Sequence, residues 1–162
     1  MDNVGLVLIG HGSKLPHNQE NLEKLAEIMR EKSSFKVVEI SFMVRNSPTI
    51  PEAIDAVASR GVTKIVLVPA FLSAGVHTTQ EIPELIGIKE KELQLSAKGI
   101  EVFYGEPIGA DECLAVILEE KALYALGKKV TAHLHAQFAA NTNNVNSTAV
   151  RFAVPDSSAK IF

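Results

Sequence analysis

The stretch VGLVLIGHGSKLP, residues 4–16, passes from an apolar run into Gly10-His11-Gly12-Ser13. A short apolar run closed by glycine, with no polar alternation, reads as a strand buried on both faces. Packing has no need of an imidazole at the end of such a strand. His11 is therefore a functional candidate.

Working outward, the chain alternates strand and helix. Residues 18–32 place Leu22, Leu25, Ala26, Ile28 and Met29 at helical spacing, with charges on the other face. Asn18 or Ser13 is the expected cap of that helix. Residues 35–43 read as a second strand. Ser47-Pro48-Thr49-Ile50-Pro51 breaks the chain; Thr49 can cap a helix over 51–59 that carries Pro51 in its first turn, and Gly61 ends it. KIVLVPAF, residues 64–71, is a third strand. A loop over 72–79 leads to a short helical piece at 82–86. Residues 87–99, GIKEKELQLSAKG, are polar and weakly periodic, and read as a surface excursion in the form of a helix or a loop. A fourth strand covers 100–104, and Asp111 caps a helix over 113–126 that Gly127 ends.

Apolar strands alternating with amphipathic helices predict an α/β domain: a small doubly wound parallel sheet of four strands, flavodoxin-like, in the order 2-1-3-4. The domain is assigned to residues 1–127. Residues 128–162, rich in Asn, Thr and Ala, form a C-terminal extension of unassigned role.

In an open parallel sheet, ligands bind beyond the carboxyl ends of the strands, where neighbouring strands send their helices to opposite faces. In the order 2-1-3-4 that place lies between strands one and three. The loop after strand one carries His11; the loop after strand three carries His77, in FLSAGVHTTQEIP. The fold thus brings two histidines, distant in sequence, to one crevice. Neutral imidazole ligates divalent cobalt, nickel, iron or zinc, and it also accepts protons near neutrality. Two ligands are too few for a closed structural zinc site. They suit a metal that is held briefly and passed on.

Other residues have plainer readings. The Gly10–Ser13 turn lacks the spacing of a P-loop or a dinucleotide fingerprint. His17 is expected to be solvated. Glu81 and Glu84 read as charges in the first turn of a helix. Thr78 and Thr79 can cap that helix or hydrogen-bond a carboxylate. Arg45 can pair with a carboxylate or stand solvated, and Met43 reads as core. His133-Leu134-His135 could share one face of an extended segment, but surface histidines are the simpler reading.

The bulk numbers exclude several classes. A formal charge of −3 with no basic run gives no reason to expect nucleic-acid binding. No apolar stretch approaches the roughly 18 residues of a membrane span, and residues 4–9 are too short for a secretory signal. A single cysteine, Cys113, permits no internal disulfide, and a cytoplasmic setting is expected.

LVLIGHGSKLPHNQENLEKLAE, SPTIPEAI, KIVLVPAFLSAGVHTTQEIPELIG and EPIGADE together resemble the small single-domain class II chelatases, the archaeal sirohydrochlorin cobaltochelatases and nickelochelatases. The likeness covers about residues 4–126. It implies insertion of Co(II) or Ni(II), as substrate and not as a tightly bound cofactor, into the acidic tetrapyrrole sirohydrochlorin. By that resemblance His11 is the catalytic base and a metal contact, His77 is the other metal contact, and Leu72, Ser73, Ala74, Gly75 and Val76 line the tetrapyrrole. Ser13, Ser47, Arg45 and Thr78 are further candidates for contacting its carboxylates. Many relatives have Glu where this chain has Ser47, and often His where it has Ala74. Some carry a histidine-rich insertion that residues 87–99 lack. One small domain offers a single wall for so large a ring, so a C2 homodimer is expected, with the last helix and the tail as candidate interface. The rival readings are iron insertion to make siroheme, a non-catalytic nickel or cobalt carrier, and a metal-independent module for a phosphorylated ligand.

Overall fold

The computed structural model describes residues 3–87, 92–95 and 99–128. The chain divides into two units, residues 1–110 and 111–162. The first holds β1 (Val4–Gly10), α1 (His17–Lys32), β2 (Val37–Phe42), α2 (Ile50–Ala58), β3 (Lys64–Pro69), a π-helical turn (His77–Glu81) running into α3 (Ile82–Leu85), β4 (Glu92–Leu95) and β5 (Ile100–Tyr104). Within the described residues the second unit contains α4 (Glu112–Ala125).

The sheet runs β2-β1-β3-β5-β4. β2, β1, β3 and β5 are parallel neighbours and form the expected four-stranded 2-1-3-4 core. β4 is an addition: it pairs antiparallel with β5, Leu95 opposite Ile100 and Glu92 opposite Phe103. It comes from the stretch read as a surface helix or loop. A single four-residue edge strand facing one neighbour is too short to impose a period on the sequence, which is why it was not legible.

Each strand sends alternate side chains to opposite layers. Val7 and Ile9 of β1 join Ile65, Leu67, Ile82 and Val102 beneath α2, which contributes Ile50, Ala53, Ile54 and Val57. Leu6 and Leu8 join Val38, Ile40 and Phe42 on the other face, beneath Leu22 and Ala26 of α1. β1 is therefore covered on both sides, as its unbroken apolar run requires. α2 approaches so closely that a Cβ on Gly5 would overlap Val57. Of the apolar stripe on α1, Leu22 and Ala26 are buried, whereas Leu25 and Ile28 remain exposed.

Helix starts divide into expected and unexpected. Thr49 caps α2 in a reciprocal box: Glu52 N–H donates to its hydroxyl, and its own N–H donates to the Glu52 carboxylate at 2.7 Å. Asp111 caps α4 by accepting from Cys113 N–H at 2.8 Å. α1 has neither of its expected caps. Pro16 occupies the cap position and gives no side-chain hydrogen bond, while Ser13 Oγ accepts from Leu15 N–H in the preceding loop.

Candidate active site

β1 and β3 are in register, with Ile9 opposite Pro69, so their carboxyl ends finish level. His11 lies just past the first end, and the segment leading to His77 leaves the second. Their imidazole centroids are 5.0 Å apart, with ring planes inclined at 61°. Phe71 stands against both, 6.4 Å from His11 and 6.5 Å from His77. The two histidines thus meet at the switch point, as the strand order requires.

The His11 loop is clamped from β2. Met43 N–H donates to Gly10 O at 3.0 Å, and Val44 N–H donates to His11 O at 3.1 Å. Gly12 adopts φ +92°, and a Cβ there would overlap the Val44 carbonyl; only glycine fits this turn. Asn46 closes the clamp. Its Oδ1 accepts from Ser13 N–H at 2.7 Å and its Nδ2 donates to Gln19 Oε1 at 3.0 Å, tying the β1 loop, the β2 loop and α1 together. Beside it, Arg45 is exposed and holds a left-handed φ of +67°.

The His77 loop is held differently. Thr78 and Thr79 N–H both donate to Gly75 O, at 3.0 and 2.9 Å, as do both hydroxyls, at 3.1 and 2.9 Å. Tyr104, at the end of β5, donates its hydroxyl to Thr78 O at 2.9 Å. Burial, with the negative charge of Glu106 second, pushes that phenol up to about 12, so it remains a donor throughout the physiological range. Ile82 N–H reaches back to His77 O, the wide spacing of a π turn; such turns occur frequently at functional sites.

Hydrogen-bond partners fix which imidazole nitrogen is free. His11 Nδ1 lies 3.0 Å from Gly12 O. A carbonyl only accepts, so Nδ1 carries the hydrogen and Nε2 presents the lone pair. His77 Nδ1 lies 2.8 Å from Glu81 Oε2. Both rings therefore hold a backbone or carboxylate partner on Nδ1, and among the described residues neither Nε2 has a hydrogen-bond partner. Among the described residues no cluster of three or more His, Cys, Asp or Glu side chains forms a complete metal cage.

Ser73, Ala74 and Gly75 are exposed on the His77 loop, and Ser47 is exposed beside the Asn46 clamp. Leu72 and Val76, 68% and 59% exposed, and likewise Leu15 and Val44, present apolar surface on the loops around the histidines. Ser13 is half-buried, and Thr78 is buried with its hydroxyl committed to Gly75. Thr78 thus holds the loop. His17 is solvated, 3.5 Å from Glu20. Glu81 is not a first-turn charge: it ends the π turn, against His77. Asn46, Phe71, Tyr104 and the Glu81 pairing were not found by sequence reasoning, although the four-residue spacing of His77 and Glu81 is visible in the sequence. His133, His135 and the rest of the tail lie outside the described residues.

The CbiX family model matches residues 5–125. A sirohydrochlorin cobaltochelatase of Methanosarcina acetivorans is 41% identical over 128 residues, covering 77% of this chain and 98% of that protein. Among solved structures, a CbiX protein of Marinobacter aquaeolei superposes with TM-score 0.60 at 27% identity, covering 76% of this chain and 98% of that one. The sirohydrochlorin chelatase SirB of Bacillus subtilis subspecies spizizenii, in complex with cobalt, superposes with TM-score 0.63 at 29% identity, over 75% of this chain and 50% of that one.

Proposed function

The chain belongs to the CbiX family, and on that premise we propose that it inserts a divalent metal, cobalt or nickel, into sirohydrochlorin, with His11 and His77 as the working pair. The observation that carries this reading is the pair of imidazoles 5.0 Å apart at the switch point, each with Nδ1 engaged and, among the described residues, no hydrogen-bond partner on Nε2.

Chelation exchanges pyrrole N–H protons for a metal that must first shed water. Two Nε2 lone pairs on one side of a crevice can replace metal-bound water and hold the ion against one face of the ring. His11 is the base: before the ion is fully transferred its Nε2 accepts one of the two pyrrole protons that the divalent ion displaces, the imidazolium so formed keeps its Nδ1–H on Gly12 O, and the second proton leaves to solvent. That nitrogen cannot ligate and accept a proton at once, so on this reading His77 keeps the ion while His11 takes the proton. Leu72, Ser73, Ala74, Gly75 and Val76 offer an apolar, uncrowded bed for the macrocycle. Ser13, Ser47 and Arg45 face its carboxylates, Arg45 as the cation of the set. Thr78 supports this bed from below through its Gly75 hydrogen bonds.

Cobalt is supported by the names of the relatives. Nickel is supported by ligand chemistry, since imidazole sites take either ion. The family match through residue 125 supports treating residues 1–127 as one chelatase domain, with 128–162 as an extension. A cytoplasmic setting is supported by the single cysteine. Among the described residues no helix is long and apolar enough to cross a membrane.

The test is a visible-absorbance time course of sirohydrochlorin with Co(II), Ni(II) or Fe(II). The protein should accelerate insertion, with cobalt or nickel ahead of iron, and His11→Ala and His77→Ala should each lower kcat/KM by about 100-fold or more. A faster iron reaction would favour the siroheme reading. Metal binding without any spectral change of the tetrapyrrole would favour a carrier.

A further inference from the structure

We propose that Glu81 is a positioning residue for metal transfer, holding His77 as the Nδ1–H tautomer so that Nε2 is permanently offered to the incoming ion. This rests on the reading of His77 as a metal contact.

The two histidines are not equivalent. The Nδ1–H of His11 meets a neutral carbonyl of the adjacent residue, at 3.0 Å. That of His77 meets a carboxylate, at 2.8 Å. A hydrogen bond to an ionised acceptor is stronger than one to a neutral acceptor. A carboxylate behind a ligating imidazole also fixes the ring and increases its donor strength.

The pair does little for the fold. Both side chains are about half exposed, His77 at 46% and Glu81 at 50%, and exposed pairs add little to stability. The π turn itself is secured by Tyr104 and by the Gly75 hydrogen bonds, without Glu81. What Glu81 does supply is orientation. Among the described residues, the ring contacts of His77 are with His11 and Phe71. Neither fixes which nitrogen carries the hydrogen. With the carboxylate in place, the less mobile ring is His77, and it becomes the better holder of the ion. His11, with the weaker partner, is left for the proton.

Two readouts on the metal-free and Co(II)-bound protein test this without any tetrapyrrole. Imidazole nitrogen chemical shifts at a pH where the ring is neutral report the His77 tautomer; titration with Co(II) alone reports affinity. In the wild type, His77 should be a single Nδ1–H tautomer. Glu81→Ala should give a mixture and weaken Co(II) binding about 10–100-fold. Glu81→Met, which keeps length and helix propensity, should do the same and guards against local unfolding of the turn. Glu81→Gln, whose amide oxygen still accepts, should restore the single tautomer and much of the affinity. Glu84→Ala, a nearby carboxylate on α3, should change neither. Folded Ala and Met variants with a wild-type tautomer would overturn the proposal, as would wild-type Co(II) affinity. Loss of affinity with the tautomer intact would instead make Glu81 a direct ligand. If these shifts occur but the wild type never metallates sirohydrochlorin, the chelatase reading falls and the positioning of His77 stands.

Discussion

Through its side chain, Asn46 braces the loop that carries His11, beside the backbone hydrogen bonds that Met43 and Val44 give it. One side-chain amide accepts from Ser13 and donates to Gln19. Glycine at position 12 lets the loop press against Val44 but cannot hold it there. Removing the amide should let His11 drift while the sheet stays intact. Asn46→Ala is expected to keep its circular dichroism spectrum and to lose about 10–100-fold in kcat/KM for metal insertion, since displacements near 1 Å carry such penalties. Asn46→Asp keeps the acceptor for Ser13 and should fall between. A folded Asn46→Ala protein with full activity would remove the amide from the site. His11 and His77 were legible because an imidazole at a strand end answers no packing need. Asn46 was not, because an asparagine in a Ser/Pro/Asn loop satisfies every local rule and its partners are decided by tertiary pairing. Glu81 was visible by spacing, but a carboxylate near a helix start already had an electrostatic explanation.

At the scale of elements, α2 was the most fully legible, because its start is written in four residues. The Thr49–Glu52 box satisfies donors that would otherwise be left open. Thr49→Ala should lower unfolding stability by about 1 kcal/mol in urea titrations. The box also carries a pH signature. The Thr49 backbone N–H, and secondly its hydroxyl, hold the Glu52 carboxyl below its ordinary value of 4.5. A lowered native pKa means that the contribution is full above 4.5 and fades as the pH falls toward the native value. The stability gap between wild type and Glu52→Gln should therefore narrow on acidification below 4.5; a gap constant with pH would show that the carboxylate is not engaged. The π turn and β4 were the elements least legible. A π turn shares its residue preferences with an α-helix, and β4 draws its definition from β5.

For the whole molecule, the alternation of buried strands and amphipathic helices with right-handed crossovers gave a doubly wound parallel sheet, and the order 2-1-3-4 came from the flavodoxin-like form of that architecture. That order alone predicted which two loops would meet. Oligomeric state belongs to this scale. We propose a homodimer, because a large flat substrate needs a second wall and α4 with its C-cap leaves Leu118, Tyr124 and Leu126 exposed. Sedimentation analysis should give twice the monomer mass, and Leu118→Glu with Tyr124→Glu should shift the protein to monomer. A wild-type monomer at micromolar concentration would exclude the dimer.

The register between β1 and β3 has a consequence for which ions the fold can serve. Neighbouring strands lie about 4.8 Å apart, and the two rings are separated by 5.0 Å. The strand spacing sets the origins of the two loops side by side, but the loops set the final span: His11 is one residue past the end of β1, whereas His77 stands eight residues past Pro69 and is held there by the Gly75 and Tyr104 hydrogen bonds. Substitutions within that second loop can therefore change the gap, and with it the fit for one ion or another, while the sheet stays as it is.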